Sequence, residues 1–120
     1  MEKYILLNLN NFAKENPIDH KLGFLTKQTL LGKNESINLT QLEPGSHFEA
    51  HYHSISDEID FVVQGQANMT IDGKVRLIKS GDLIYIPPGV VHAFATLGDE
   101  NLLVLVVFAP PLDEKDRTFV

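Results

Sequence analysis

Residues 45–65 read GSHFEAHYHSISDEIDFVVQG. The run places His51 and His53 one residue apart, with Glu58 five residues beyond the second histidine. In an extended strand the side chains alternate faces, so positions i and i+2 point the same way, roughly 6.5–7 Å apart. Two imidazoles on one strand face can converge on one ion. The four residues from Ser54 to Asp57 let the chain turn and bring Glu58 back on a neighbouring strand. Two imidazoles and a carboxylate, with positions left open, make a donor set suited to a transition metal.

Outward from this run the chain reads as short strands between turns. On the N-terminal side, Leu22–Leu31 and Ile37–Leu42 lean to β and are parted by Gly32-Lys33-Asn34. Glu43-Pro44-Gly45 then reverses the chain. On the C-terminal side, Ile59–Val63 is β-branched and aromatic, hence a strand. Asp72-Gly73 between Ala67–Ile71 and Val75–Ile78 is a two-residue hairpin signal. Leu83–Ile86 and Val91–Thr96 follow, and Leu102–Phe108 is a continuous apolar run that predicts a strand buried on both faces. The pattern predicts nine or ten short strands and no helix of useful length, hence an all-β antiparallel sandwich or barrel. The ends read differently. Residues 1–21 are expected to form an N-terminal arm and linker, with Tyr4–Leu9 a short strand or arm, and 109–120 a C-terminal tail lying over the surface or reaching a partner.

The 120 residues fit one domain spanning 1–120 with a real core, and at 43% hydrophobic the chain is globular rather than disordered. Its net charge of −6, without a basic cluster, argues against nucleic acid or an anionic membrane as partner. No cysteine is present, so any metal must be held by histidine and carboxylate. The N-terminal apolar run is too short for a signal peptide or a membrane span, which makes a cytoplasmic protein the expectation.

A second stretch, Gly81 to His92 (GDLIYIPPGVVH), supplies a third histidine just after a Pro-Gly turn. Together the two stretches resemble the motifs of the cupin superfamily. The first motif is Gly, five residues, His-x-His, three or four residues, Glu, six residues, Gly, and Gly45, His51, His53, Glu58 and Gly65 fit it. The second is Gly, five residues, Pro-x-Gly, two residues, His, three residues, Asn. Gly81, Pro87, Gly89 and His92 fit, and Thr96 stands where the Asn would be. Ala50 replaces the proline often found before the histidine pair. The resemblance implies an antiparallel jelly-roll β-barrel with His51, His53, Glu58 and His92 holding one divalent transition metal inside it. Three imidazoles and a carboxylate suit Mn, Fe, Co, Ni, Cu or Zn, and an octahedral ion would keep two positions for water or substrate.

Strand parity extends the candidate site. His47 and Glu49 share the parity of His51, although a bulge between Gly45 and Ala50 would break it. Asp60 shares the parity of Glu58 and points inward, as a general acid/base or as a partner to a ligand. Asp60 and Glu49 are the candidate proton carriers. The expected function is metal-dependent chemistry on a small oxygen-rich molecule such as a sugar acid, a keto or enol compound, or a diketone. The family's members include dioxygenases, decarboxylases, isomerases and lyases, and the fold does not choose among them. The alternatives are a small-ligand-binding module and a barrel whose metal is purely structural. The run Leu102–Phe108 and the arm Tyr4–Leu9 are expected to serve a homodimer.

Overall fold

The computed structural model describes residues 3–120. These residues form helix α1 (Leu9–Glu15) and ten strands: β1 (Phe24–Leu31), β2 (Ser36–Leu42), β3 (His47–Tyr52), β4 (Asp57–Gln64), β5 (Gln66–Ile71), β6 (Lys74–Lys79), β7 (Leu83–Ile86), β8 (His92–Leu97), β9 (Leu102–Ala109) and β10 (Thr118–Phe119). They build two five-stranded sheets, one in the order β1-β2-β9-β4-β7 and the other β10-β3-β8-β5-β6. Every pairing is antiparallel, giving the jelly-roll the motifs imply.

Local sequence explains the turns. Asp72 and Gly73 both take positive φ, 49° and 77°, the left-handed pair that a two-residue hairpin between β5 and β6 requires. Gly65, at φ 84°, closes β4 where a Cβ would stand 2.7 Å from the Asn101 carbonyl oxygen, so no other residue fits there without displacing backbone. Between the sheets, Leu42, Val62 and Val104 meet Ala67, Met69 and Phe94 in one core. Burial of each larger side chain contributes about 1.5–3 kcal/mol.

Three expectations change. First, the expected linker over 10–20 contains helix α1. The side chain of Asn8 accepts the Asn11 N–H as its N-cap, and Gln41 Nε2 donates to the Asn16 carbonyl, seating the helix end on β2. The helix has only seven residues and no buried one, so no apolar stripe announces it. Second, of the two readings of Tyr4–Leu9 the strand is not formed; Tyr4, Ile5 and Leu6 are exposed, and Leu9 opens the helix. Third, β9 has no free edge to offer the expected homodimer. It lies between β2 and β4, bonded along both edges, and its side chains from Leu102 to Phe108 are buried or half-buried on both faces, as the apolar run predicts. The first sheet's uncovered outer face carries Ile59, Phe61, Leu83 and Tyr85, cross-strand neighbours on β4 and β7. No helix among the described residues is long and apolar enough to cross a membrane.

Candidate metal centre

His51 is the last residue but one of β3, His53 lies in the loop just beyond the strand, His92 opens β8, and Glu58 lies on β4. Since β3 and β8 belong to one sheet and β4 to the other, Glu58 faces the histidines across the sandwich and is not on the neighbouring strand, as the spacing suggested. The loop 54–56 is the crossing. His51 and His92 are directly paired across β3 and β8, and their rings lie 4.3 Å apart between centroids. The two motifs are also tied by backbone, because the Gly89 N–H donates to the His53 carbonyl at 2.7 Å.

All three imidazoles meet the same constraint. His51 Nδ1 donates to the Glu49 carbonyl at 2.7 Å, His53 Nδ1 to the Asp116 carbonyl at 2.5 Å, and His92 Nδ1 to the Val90 carbonyl at 3.0 Å. A carbonyl only accepts, so each Nδ1 must carry the hydrogen, and in a neutral ring Nε2 keeps the lone pair. The three residues bring ligand atoms within 4.8 Å of one another, all buried. Glu58 Oε1 stands 3.1 Å from His53 Nε2 and 3.2 Å from His92 Nε2. Yet none of these three atoms makes a hydrogen bond. Two lone pairs facing a carboxylate oxygen repel unless a positive charge lies among them. That charge is supplied by protons on Nε2 or by a metal cation, and the donor set fits a first-row divalent ion.

The electrostatics follow. Burial lowers the His51 pKa to about 4, with the neighbouring histidines adding to the effect. Burial also disfavours charged His92, but the Glu58 carboxylate outweighs it and the ring ends above its ordinary value. Burial pushes Glu58 up, and its contacts with His53 and His92 more than reverse that, so it stays ionised. Asp60 goes the other way. It is completely buried, and burial together with the Glu58 charge raises its pKa well above the carboxylate range. Asp60 is therefore held towards its neutral form beside Glu58, and neither of its carboxyl oxygens has a hydrogen-bond partner among the described residues.

The expected candidates fare unequally. Three steps along β3, from Phe48 to His51, match two along β8, from Phe94 to His92, so a one-residue bulge lies between them. The bulge turns Phe48 inward with His51 and leaves Glu49 outside. Glu49 and His47 are exposed and line an outer groove, contrary to their shared parity with His51. Glu49 serves the centre only through its carbonyl. Asp60 is inward as expected, but it does not line the ligand cavity.

The expected surface tail instead comes back over the site. The Asp116 carboxylate accepts the N–H groups of Ser54, Ile55 and Ser56, its carbonyl holds His53, and Thr118-Phe119 pair with Tyr52 and His51. Asp116 and Arg117 thereby join the cavity region, and sequence reasoning assigned them nothing. The only local signal was Thr118-Phe119, a β-prone pair too short to read as a strand.

Comparison with known proteins agrees with this geometry. The family model described as Cupin domain matches residues 38–108. An uncharacterised protein of Streptomyces coelicolor is 38% identical over 70% of this chain and 78% of its own length. An acireductone dioxygenase of Bacillus pumilus is 31% identical over 89% of this chain and 66% of its own. In three dimensions, an uncharacterised conserved protein with a double-stranded β-helix domain from Klebsiella pneumoniae superposes over 98% of each chain with a TM-score of 0.83 at 19% identity, a likeness of fold.

Proposed function

The chain belongs to the cupin domain family, and from that premise we propose that it is a small metalloenzyme whose His51, His53, Glu58 and His92 hold one divalent transition metal. One observation carries the reading: all three Nδ1 hydrogens are committed to carbonyls, which aims three Nε2 lone pairs into the space beside one buried carboxylate oxygen. When bound, the ion supplies Lewis acidity to substrate oxygens or activates dioxygen. The substrate is a small oxygen-rich molecule, a sugar acid, a keto or enol compound, or a diketone. The likeness to the acireductone dioxygenase supports the keto or enol class.

The chain's own residues do the rest. The carbonyls of Glu49, Val90 and Asp116 fix the ring tautomers. Asp60, buried beside Glu58 and held towards its neutral form, adds no second negative charge to the centre. Phe48, Phe94 and Phe108 give the cavity an apolar wall.

Elemental analysis of protein purified without added metal tests the centre, followed by oxygen uptake against a panel of diketones, enols and uronates. Substoichiometric metal, or no turnover of any member by the metal-loaded protein, goes against the reading. A structural role for the metal has one observation in its favour, because the free space among the ligands is only about 30 Å³. Chelation that lowers the melting temperature, with no turnover of any compound, would support that role instead. We further propose a homodimer through the apolar outer face at Ile59, Phe61, Leu83 and Tyr85. A monomer mass by light scattering rejects it.

A further inference from the structure

A cation without a partner looks into the ligand cavity. Arg117 lines it together with His51, His53, Glu58 and His92. Its Nε is buried and makes no hydrogen bond. Among the described residues no carboxylate lies within ion-pair distance of the guanidinium; the ion pairs present are His20 with Glu43, and Glu58 with His53 and His92. Among the described residues its guanidinium carbon lies 5.9 Å from the centroid of the Phe48 ring, a cation–π contact. Such a contact offsets only part of what desolvating a full charge takes.

The backbone keeps Arg117 where it is. On one side Asp116 is tied to three N–H groups of the crossing loop, and on the other Thr118 pairs with Tyr52. The side chain is thus part of a built wall. Arginine keeps its charge throughout the pH range of a folded protein, and its planar fork of N–H donors matches a carboxylate in a bidentate fashion. A divalent ion beside Glu58 and Arg117 gives the cavity excess positive charge, which an anion would neutralise.

We propose that Arg117 anchors a carboxylate of the substrate, which is a short organic acid that reaches the metal through oxygens next to that carboxylate. This deepens the metalloenzyme reading and rests on it. The space among the ligands is about 30 Å³, which admits little beyond the chelating oxygens. Arg117 is only partly buried, so the carboxylate stays with the guanidinium at the mouth.

Malonate is the probe, and acetohydroxamate, a neutral two-oxygen chelator, is the control. Calorimetry compares wild-type, R117Q and R117K proteins, each metal-loaded and each metal-stripped. R117Q is expected to weaken malonate binding about tenfold or more, the scale of a charge-assisted pair. R117K should recover part of the loss. Metal content and acetohydroxamate affinity should stay at the wild-type level in both. Unchanged malonate affinity in R117Q overturns the proposal. So does an equal loss of malonate and acetohydroxamate, or loss of the metal itself, since either makes Arg117 structural. If wild-type protein takes up no metal, the metalloenzyme reading fails separately. The stripped proteins then decide the anchor: malonate binding that disappears in R117Q supports it, and absent or equal binding overturns it.

Discussion

Replacing Asp116 by alanine removes the clasp that draws the C-terminal segment onto the candidate metal centre. The carboxylate accepts the N–H of Ser54 at 2.6 Å, of Ile55 at 3.0 Å and of Ser56 at 3.1 Å. Ser56 is buried, so its N–H would be left without solvent, at about 1–3 kcal/mol. Ser54 and Ile55 are exposed, and water can replace the carboxylate there at a smaller loss. Together these give about 2–4 kcal/mol. At about 4 °C per kcal/mol for a domain of this size, the melting temperature should fall by about 8–16 °C.

The same variant should weaken metal binding. The Asp116 carbonyl fixes His53 through Nδ1, and loosening the segment frees that ring to turn. Loss of such an outer partner lowers metal affinity about 10–100-fold, or about 1.4–2.7 kcal/mol. Competition for zinc against a chromogenic chelator reads the affinity, and melts with and without metal read the stability. D116N keeps one acceptor oxygen and should fall between. Burial raises the Asp116 pKa, but the three N–H groups outweigh it and hold the carboxyl below its ordinary value. A depressed carboxylate pKa contributes stability above the unfolded value of about 3.9 and loses it as pH falls through the folded value. The difference between wild type and D116A should therefore shrink below about pH 4. If D116A melts lower yet binds zinc as tightly as wild type, the clasp is purely structural and the reasoning about His53 is wrong.

His92→Ala and Glu58→Gln should each reduce bound metal to a small fraction of wild type by elemental analysis; full occupancy in either removes that residue from the ligand set. Metal uptake near neutral pH should release protons from the Glu58–histidine contacts and not from His51, whose pKa of about 4 leaves it neutral there; titrations in buffers of different ionisation enthalpy count them, and a count of zero contradicts the raised pKa of His92. In metal-stripped protein the His92 contribution is fully present below its unfolded pKa of about 6.5 and lost as pH rises through the higher folded value, while His51, with its lowered pKa, costs stability as pH falls from about 6.5 towards 4. Melting curves of stripped and loaded protein across pH 5–9 should diverge as pH rises, and parallel curves would refute the linkage. Asp60→Asn keeps a neutral, similarly shaped side chain, so its melting temperature should stay near wild type, whereas a large fall would mean that Asp60 is ionised.

Much of this molecule was legible because its turns are written in glycine and proline. The Asp72-Gly73 hairpin, the Pro87–Gly89 turn before His92 and the apolar central strand all formed where the residues predict. The meeting of His51, His53, Glu58 and His92 at one place was legible for the same reason, since fixed spacing between turns leaves each strand little freedom of register. What failed was parity across a bulge. Alternation put Glu49 beside His51, but the extra residue on β3 rotated Phe48 into that place, and nothing in HFEAH marks a bulge. The short helix failed for a different reason. Its stability comes from caps and from Gln41 on another element, and seven residues cannot display a period.

The C-terminal segment was illegible because its role is tertiary. Asp113 to Val120 is a mixed-charge run with no alternation, and its two informative contacts reach back more than sixty residues, from Asp116 to Ser54 and to His53. Those contacts also say why the centre sits where it does. Glu58 comes from one sheet and the three histidines from the other sheet and its crossing loop, so an ion held by all four bonds the two halves of the sandwich together. The crossing loop that makes this possible has no apolar anchor of its own. Ile55 at its middle is 65% exposed, and what fixes the loop is the carboxylate of Asp116 on its three N–H groups, with the Ser56 hydroxyl donating to the Pro110 carbonyl. Closure of the barrel end and shaping of the donor set are therefore one event, carried by the last eight residues of the chain.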